Sequence, residues 1–186
     1  MNDYASNPMF YDLTAAEMLT MVKSQTQLSP VRRDCVVERD DGVDLDAWLR
    51  EEIELWYSRL LLEADPSLLP VEDVRAETML TADSEGVVTA RLPERVVRPV
   101  EIRLAAWQKS VTHFLKPDDP ECRTQFNRYT RGRTANPAAI DYGDRVLLFS
   151  AGGNALGTLT AARCVVRPDD GHFVFHRSVM PEIEFP

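Results

Sequence analysis

Lysine is nearly missing from this chain. Of 21 basic residues in 186, only Lys23, Lys109 and Lys116 are lysines, and eighteen are arginines. Arginine forks onto carboxylates, stacks on rings and is enriched at interfaces where lysine is depleted; coding bias in a GC-rich genome gives the same composition. Cysteine is scarce too. Cys35, Cys122 and Cys164 are far apart, odd in number and form no CxxC pair, which argues against a disulfide frame and fits free thiols in a reducing compartment. No apolar run approaches the roughly 18 residues of a membrane helix. The start, "MNDYASNPMFYDLT", lacks the basic and apolar regions of a signal peptide. The expectation is a soluble intracellular protein. Apolar residues make up 44%, too many for wholesale disorder, so a single packed domain over 1–186 is expected.

Catalytic signatures are also missing. The only glycine-rich run, "SAGGNALGT", precedes strand-like residues and has no lysine. A phosphate loop needs a following helix and usually a Lys-Ser/Thr pair, so a hairpin turn is expected there. There is no GxSxG. Ser110 and His113 are near in sequence only, which does not make a triad. His172 and His176 flank "FVF", a strand-like stretch that would hold them about 13 Å apart on one side, too far to share a metal. "ERDDGVDLD" is acidic but lacks the ligand register of a calcium loop. No cofactor and no metal is expected, and the chain is read as not an enzyme.

What is present is organised. "LTAAEM" offers Thr14 as cap and Glu17 at N3, a capping box, with Leu13 and Met18 as a staple. A helix is expected from Ala15 to Gln25. The residues before it, 1–12, read as an N-terminal arm. "SPVRRDCVVERDDG" is a linker with a short strand at Cys35 to Glu38. A second, long helix follows, capped by Asp44 or Asp46. Leu45, Trp48, Leu49, Ile53, Trp56, Tyr57 and Leu60 give it one apolar face, with the two tryptophans as core anchors. Pro66 ends it.

After residue 77 the period becomes two. "ETMLTADSEGVVTARLP" reads as a hairpin around "DSEG". "RPVEIRLAAW" puts Val100, Ile102, Leu104 and Ala106 on one face and Glu101, Arg103 and Ala105 on the other, with Pro99 at a strand start or edge. "KSVTHF" can extend the sheet. A turn-rich stretch with a short helix at Arg123 to Tyr129 comes next. "DRVLLFS" and "ALGTLTAARCVVRP" are expected to form a second hairpin around "AGGN", and "DGHFVFHRSVMPEIEFP" a last strand with an extended tail at 178–186. Two N-terminal helices followed by hairpins predict an α+β fold with a mostly antiparallel sheet or sandwich.

Charge is distributed unevenly. The net charge is −9. Residues 34–65 hold eleven acids and three arginines, a net of −8. Against that, "ECRTQFNRYTRGR" places Arg123, Arg128, Arg131 and Arg133 beside Phe126 and Tyr129. Three readings fit: a surface loop with its arginines paired internally, a nucleic-acid site using charge and base stacking, or a subunit contact. The overall negative field opposes the second. The third joins the connector arginines to Asp40, Asp41, Glu51, Glu52 and Glu54. Opposite patches on one molecule favour head-to-tail association into a ring.

"SPVRRDCVVERDDGVDLDAWLREEIELWYSRLLLEADPSLLPVEDV", with the later "RLPERVVRPVEIRLAAWQ", resembles in outline the neck or ring proteins between head and tail of tailed bacteriophages. The resemblance implies a non-enzymatic virion subunit and copies of itself in a ring. Portal or tail proteins would be its partners, and DNA only a non-sticking cargo of the channel. It implies host cytoplasm during assembly, then the virion, and no membrane. The alternatives are a nucleic-acid-binding module using 121–133, or an enzyme with no recognisable motif.

Overall fold

The computed structural model describes residues 7–25, 44–149, 157–168 and 171–181. The chain divides into two compact units, Met1–Pro70 with Pro168–Pro186, and Val71–Arg167, and each is described by itself. The α+β expectation holds: helices and antiparallel ladders are both present.

In the first unit, strand β1 (Phe10–Leu13) pairs antiparallel with the last strand, β9 (Phe173–His176), with Asp12 opposite Val174. The arm expected at 1–12 is therefore corrected at its end, where Phe10, Tyr11 and Asp12 are strand. Helix α1 spans Ala15–Gln25. Its capping box is complete: Glu17 N donates to Thr14 Oγ1 at 3.3 Å, and Thr14 N donates to Glu17 Oε2 at 2.9 Å. Helix α2 spans Leu45–Glu63, and Asp44 Oδ1 accepts from the amides of Asp46 and Ala47. Of the two caps considered, Asp44 is the one used. Asp46 instead pairs with Lys23 of α1 at 2.5 Å. A single 3-10 turn, Pro66–Leu68, follows α2.

The buried face of α2 is Leu49, Ile53, Tyr57 and Leu61, every fourth residue. The tryptophans are displaced from the anchor role: Trp48 and Trp56 are half-buried. Trp56 lies edge-on to Phe175 at 5.4 Å between ring centres. Tyr57 is the anchor, 1% exposed. Its ring meets Phe173 at 5.0 Å. Its hydroxyl donates to Val174 O at 3.2 Å and accepts from Val174 N at 3.1 Å.

The second unit holds two sheets. One runs β2 (Val71–Asp73), β8 (Leu159–Val166), β5 (Val96–Leu104); the other runs β3 (Met79–Ala82), β4 (Val88–Arg91), β7 (Arg145–Leu148), β6 (Ala139–Asp141). A common core takes Ile102, Leu104, Ala162 and Cys164 from the first sheet and Val88, Ala90, Val146 and Leu148 from the second, a sandwich arrangement. The β3–β4 hairpin forms as expected, with Gly86 at φ 78° in its turn. The second hairpin does not. Strand β7 pairs with β4 and β6, and β8 with β2 and β5, so the two belong to different sheets. The turn next to β7 is instead at Gly143, φ 89°, between β6 and β7.

Pro99 lies inside β5, on a strand at the end of its sheet's order, where no ladder donor is needed on the outer side. A register shift between Pro99 and Glu101 breaks the expected alternation. Pro99, Ile102 and Leu104 are buried, Val100 is half-buried and Ala106 is exposed. From "KSVTHF" only Val111 joins, through one bridge to Ile102. The strand expected at Cys35 to Glu38 lies outside the described residues, as does "AGGN".

Candidate functional site

The arginine-rich connector is part of the second unit. Its helix α3 is shorter than expected, Cys122–Gln125. Beyond it the chain is held by local hydrogen bonds rather than by regular structure. Thr130 Oγ1 donates to Thr124 O at 2.7 Å, Arg131 N to Asn127 O at 2.9 Å, and Gly132 N to Gln125 Oε1 at 2.9 Å. Arg133 and Asn136 exchange both main-chain bonds. Gly132 is compulsory there, because a Cβ would stand 2.7 Å from Asn136 O and 2.9 Å from Ala138 N.

Alternation along β7 explains what the loop rests on. Val146 and Leu148 point into the shared core, whereas Leu147 and the following Phe149 belong to a second cluster with Val87, Leu115, Cys122 and Ile140. Phe126 caps that cluster edge-on to Phe149 at 5.5 Å and stays 49% exposed.

The four arginines separate into two kinds. Arg131 is turned inward, with a side chain 10% exposed. Its Nη1 donates to Glu85 O at 3.0 Å and its Nη2 lies 3.7 Å from the Glu85 carboxylate. Its Nε is buried without a partner among the described residues. Arg131 thus tethers the connector to the β3–β4 turn, and most of the side chain expected at an interface is engaged within its own unit. Arg123, Arg128 and Arg133 are exposed and make no ion pair or hydrogen bond through their side chains among the described residues. Tyr129 beside them is 86% exposed.

Arg95 shows what a neutralised arginine looks like in the same unit. It grips both Glu77 oxygens, at 2.5 and 2.9 Å, and Glu72 at 3.1 Å. That pairing holds the Glu77 carboxyl below its usual range.

The acidic side of the expected contact divides as well. Glu51 and Glu54 are exposed on α2, and Glu52 is half-buried. Asp40 and Asp41 lie outside the described residues. Two exposed leucines, Leu55 at 61% and Leu62 at 57%, share that helix.

The residues tested for chemistry are used separately. Ser110 Oγ donates to Glu101 at 2.6 Å rather than to His113. His172 meets Asp12 at 2.7 Å, and His176 meets Ser178. Burial pushes the Cys164 thiol up to about 12, so it is a protonated core residue, not a nucleophile. Among the described residues no cluster of His, Cys, Asp or Glu could hold a metal ion, and no helix is long and apolar enough to cross a membrane. Sequence reasoning named Arg131 but could not see its tether to Glu85, and it missed Gln125, which looks like an ordinary polar loop residue; only the nearby Gly132 hints at a tight loop. Compared with known protein families and with curated proteins, the chain matches none.

Proposed function

We propose that the protein is a non-enzymatic subunit of a homo-oligomeric assembly, in which the connector of one copy meets acidic residues of the next. One observation carries this: Arg123, Arg128 and Arg133 are held out on a loop braced by its own hydrogen bonds, with no ion pair to a carboxylate among the described residues. A pre-organised loop spares the backbone part of the ordering cost on binding, leaving only the side chains to be fixed. The counter-charge exists in the same chain. The unit Met1–Pro70 with Pro168–Pro186 has seven basic and eighteen acidic residues, a net of −11.

The more specific form, a neck-ring adaptor linking portal and tail of a tailed phage, rests on the resemblance in element order. In that form the protein assembles in the host cytoplasm and ends in the virion, with DNA passing through unbound.

Light scattering across a concentration series tests the broad reading. The wild type self-associates, and Arg123→Glu with Arg128→Glu weakens association tenfold or more while circular dichroism is unchanged. A strict monomer at every concentration, alone and with a portal ring, overturns the proposal. A second reading, single-stranded nucleic-acid binding, is favoured by Tyr129 and Phe126 standing exposed among the arginines. It requires binding that falls steeply with salt and is lost in Tyr129→Ala.

A further inference from the structure

We infer that the outer edge of β3 is a dimerisation seam, on which β3 of a second copy pairs antiparallel about Thr81. This contact is separate from the connector contact proposed above and does not rest on it.

The two ends of this sheet are finished differently. At the β6 end Leu115 lies alongside: Asp141 N donates to Leu115 O at 2.9 Å, and Leu115 N donates to Ala139 O at 3.0 Å. At the β3 end the register fixes which groups are left over. Asp83 N donates to Val87 O at 3.0 Å, so the bonded pairs of the β3–β4 ladder are Asp83–Val87, Thr81–Thr89 and Met79–Arg91. Leu80 and Ala82 alternate with these, and their amides and carbonyls point off the sheet. The next ladder agrees. Leu92 N donates to Asp144 O, which puts Val88 and Ala90, the residues opposite Ala82 and Leu80, in bonded pairs with β7. Neither Leu80 nor Ala82 makes a main-chain hydrogen bond among the described residues. Two donors and two acceptors thus stand in a row along an edge, which is what an added strand requires.

What the edge lacks points to its occupant. Edge strands are ordinarily guarded by charge, proline or a bulge. Residues 78–82, Thr-Met-Leu-Thr-Ala, carry no charge and no proline, and the ladder to β4 runs without a register shift. The neighbouring carboxylates are engaged within their own subunit: Glu77 by Arg95, Asp83 by the amides of Glu85 and Val87, and Glu85 by Arg131 at 3.7 Å. An identical edge therefore approaches without strong like-charge repulsion. A half-turn about Thr81 sets Leu80 of each copy opposite Ala82 of the other. Both pairs exchange two main-chain bonds, so every outward group of both strands is met. On the core face, half-buried Leu80 leans over the small Ala82 of the other copy. On the outer face, exposed Thr81 meets its own counterpart, with Met79, 63% exposed, beside it. The pairing is isologous and closes on itself, joining two four-stranded sheets into one. Four residues make a short seam, below the size of a standard interface, so the dimer is expected to dissociate on dilution.

Sedimentation velocity over a concentration series, with hydrogen exchange on the same full-chain samples, tests the seam. The wild type is expected to dimerise, and the Leu80 and Ala82 amides to gain protection as it does. Thr81→Lys and Thr81→Glu each set like charges face to face at the axis and are expected to weaken dimerisation at least tenfold, with unchanged circular dichroism. An equimolar mixture of the two is expected to restore it, because unlike charges then oppose. Ala82→Pro removes one outward donor while leaving the β4 ladder its bonds, and the same loss is expected. If it disturbs the fold, the Thr81 pair carries the test alone. Arg123→Glu with Arg128→Glu separates the two contacts and is expected to leave the concentration-dependent protection of Leu80 and Ala82 intact. Should association survive the Thr81 variants and fall with the connector variants, the seam is overturned and the connector reading stands. A mixture that fails to re-associate, exchange at Leu80 and Ala82 that ignores concentration, or a wild type that is a monomer throughout also overturns the seam. So does a monomer that instead binds a labelled Thr-Val-Thr-Val peptide in a manner lost in Ala82→Pro.

Discussion

The two compact units differ in charge and in how they are held. The unit of residues 1–70 and 168–186 carries a net of −11, while Val71–Arg167 has fourteen basic and twelve acidic residues, a net of +2. In the first, two helices and a two-stranded sheet meet through aromatic rings and one phenol bonded to main chain. In the second, two sheets close on an aliphatic core. The comparison teaches that the imbalance legible in the sequence follows the fold's own division rather than a simple front and back, because the acidic unit takes both ends of the chain. It also shows that an arginine count says little by itself. Arg95 and Arg131 are consumed internally; Arg123, Arg128 and Arg133 are not.

Stability changes sharpen the contrast, with hydrogen exchange reading each unit separately. The largest effect is expected from Leu148→Ala in the sandwich core, where a fully buried leucine is worth about 2–5 kcal/mol. Amides of β4, β7 and β8 should lose protection. If they do not, the shared core of the two sheets is wrong. Tyr57→Phe in the acidic unit leaves the Val174 amide and carbonyl without their partner and should cost about 1–3 kcal/mol, read as faster exchange at Val174. Thr14→Ala removes the α1 cap and should cost about 0.5–2 kcal/mol, seen as fraying of α1 and a lower melting midpoint.

The smallest effect is acid sensitivity, and each unit supplies one group. Thr14 holds the Glu17 carboxyl below its usual range, chiefly through the backbone bond, and Arg95 does the same for Glu77. A lowered folded-state value means the unfolded chain binds the proton first on acidification. The contribution is therefore full above the ordinary carboxylate range, about pH 4.3, and is lost as pH falls through the folded value. A urea midpoint measured from pH 6 to 3 should decline less steeply in Glu17→Gln, which removes the titrating carboxyl, and in Arg95→Ala than in the wild type.

The helices were legible because their signals are local. Thr14 with Glu17, Asp44 and Pro66 set the ends within a turn of the chain. The "DSEG" hairpin was legible for the same reason. Strand β1 was not, because its partner β9 lies some 160 residues away and nothing nearby announces it; Phe10 and Tyr11 read as an arm. The false β7–β8 hairpin arose from proximity in sequence, when the hydrophobic pattern of each strand fits two different sheets equally well. The tryptophans misled because size is not depth: the four-residue row through Tyr57 faces inward, and Trp48 and Trp56 flank it. At the connector, residue types singled out the segment and could not say which guanidinium was already taken. That depends on Glu85, which only the folded hairpin brings within reach.

The Tyr57 hydroxyl has a further role. Because Arg177 N bonds Met9 O, alternation leaves the Val174 amide and carbonyl on the side of β9 away from β1. The phenol occupies both, doing for a two-stranded ribbon what a third strand would otherwise do. It closes off a rim on which stray chains could dock and propagate. Replacing that one oxygen would leave both groups unpaired beneath a ring that still covers them, so the rim would lose its bonding partner before it lost its shield.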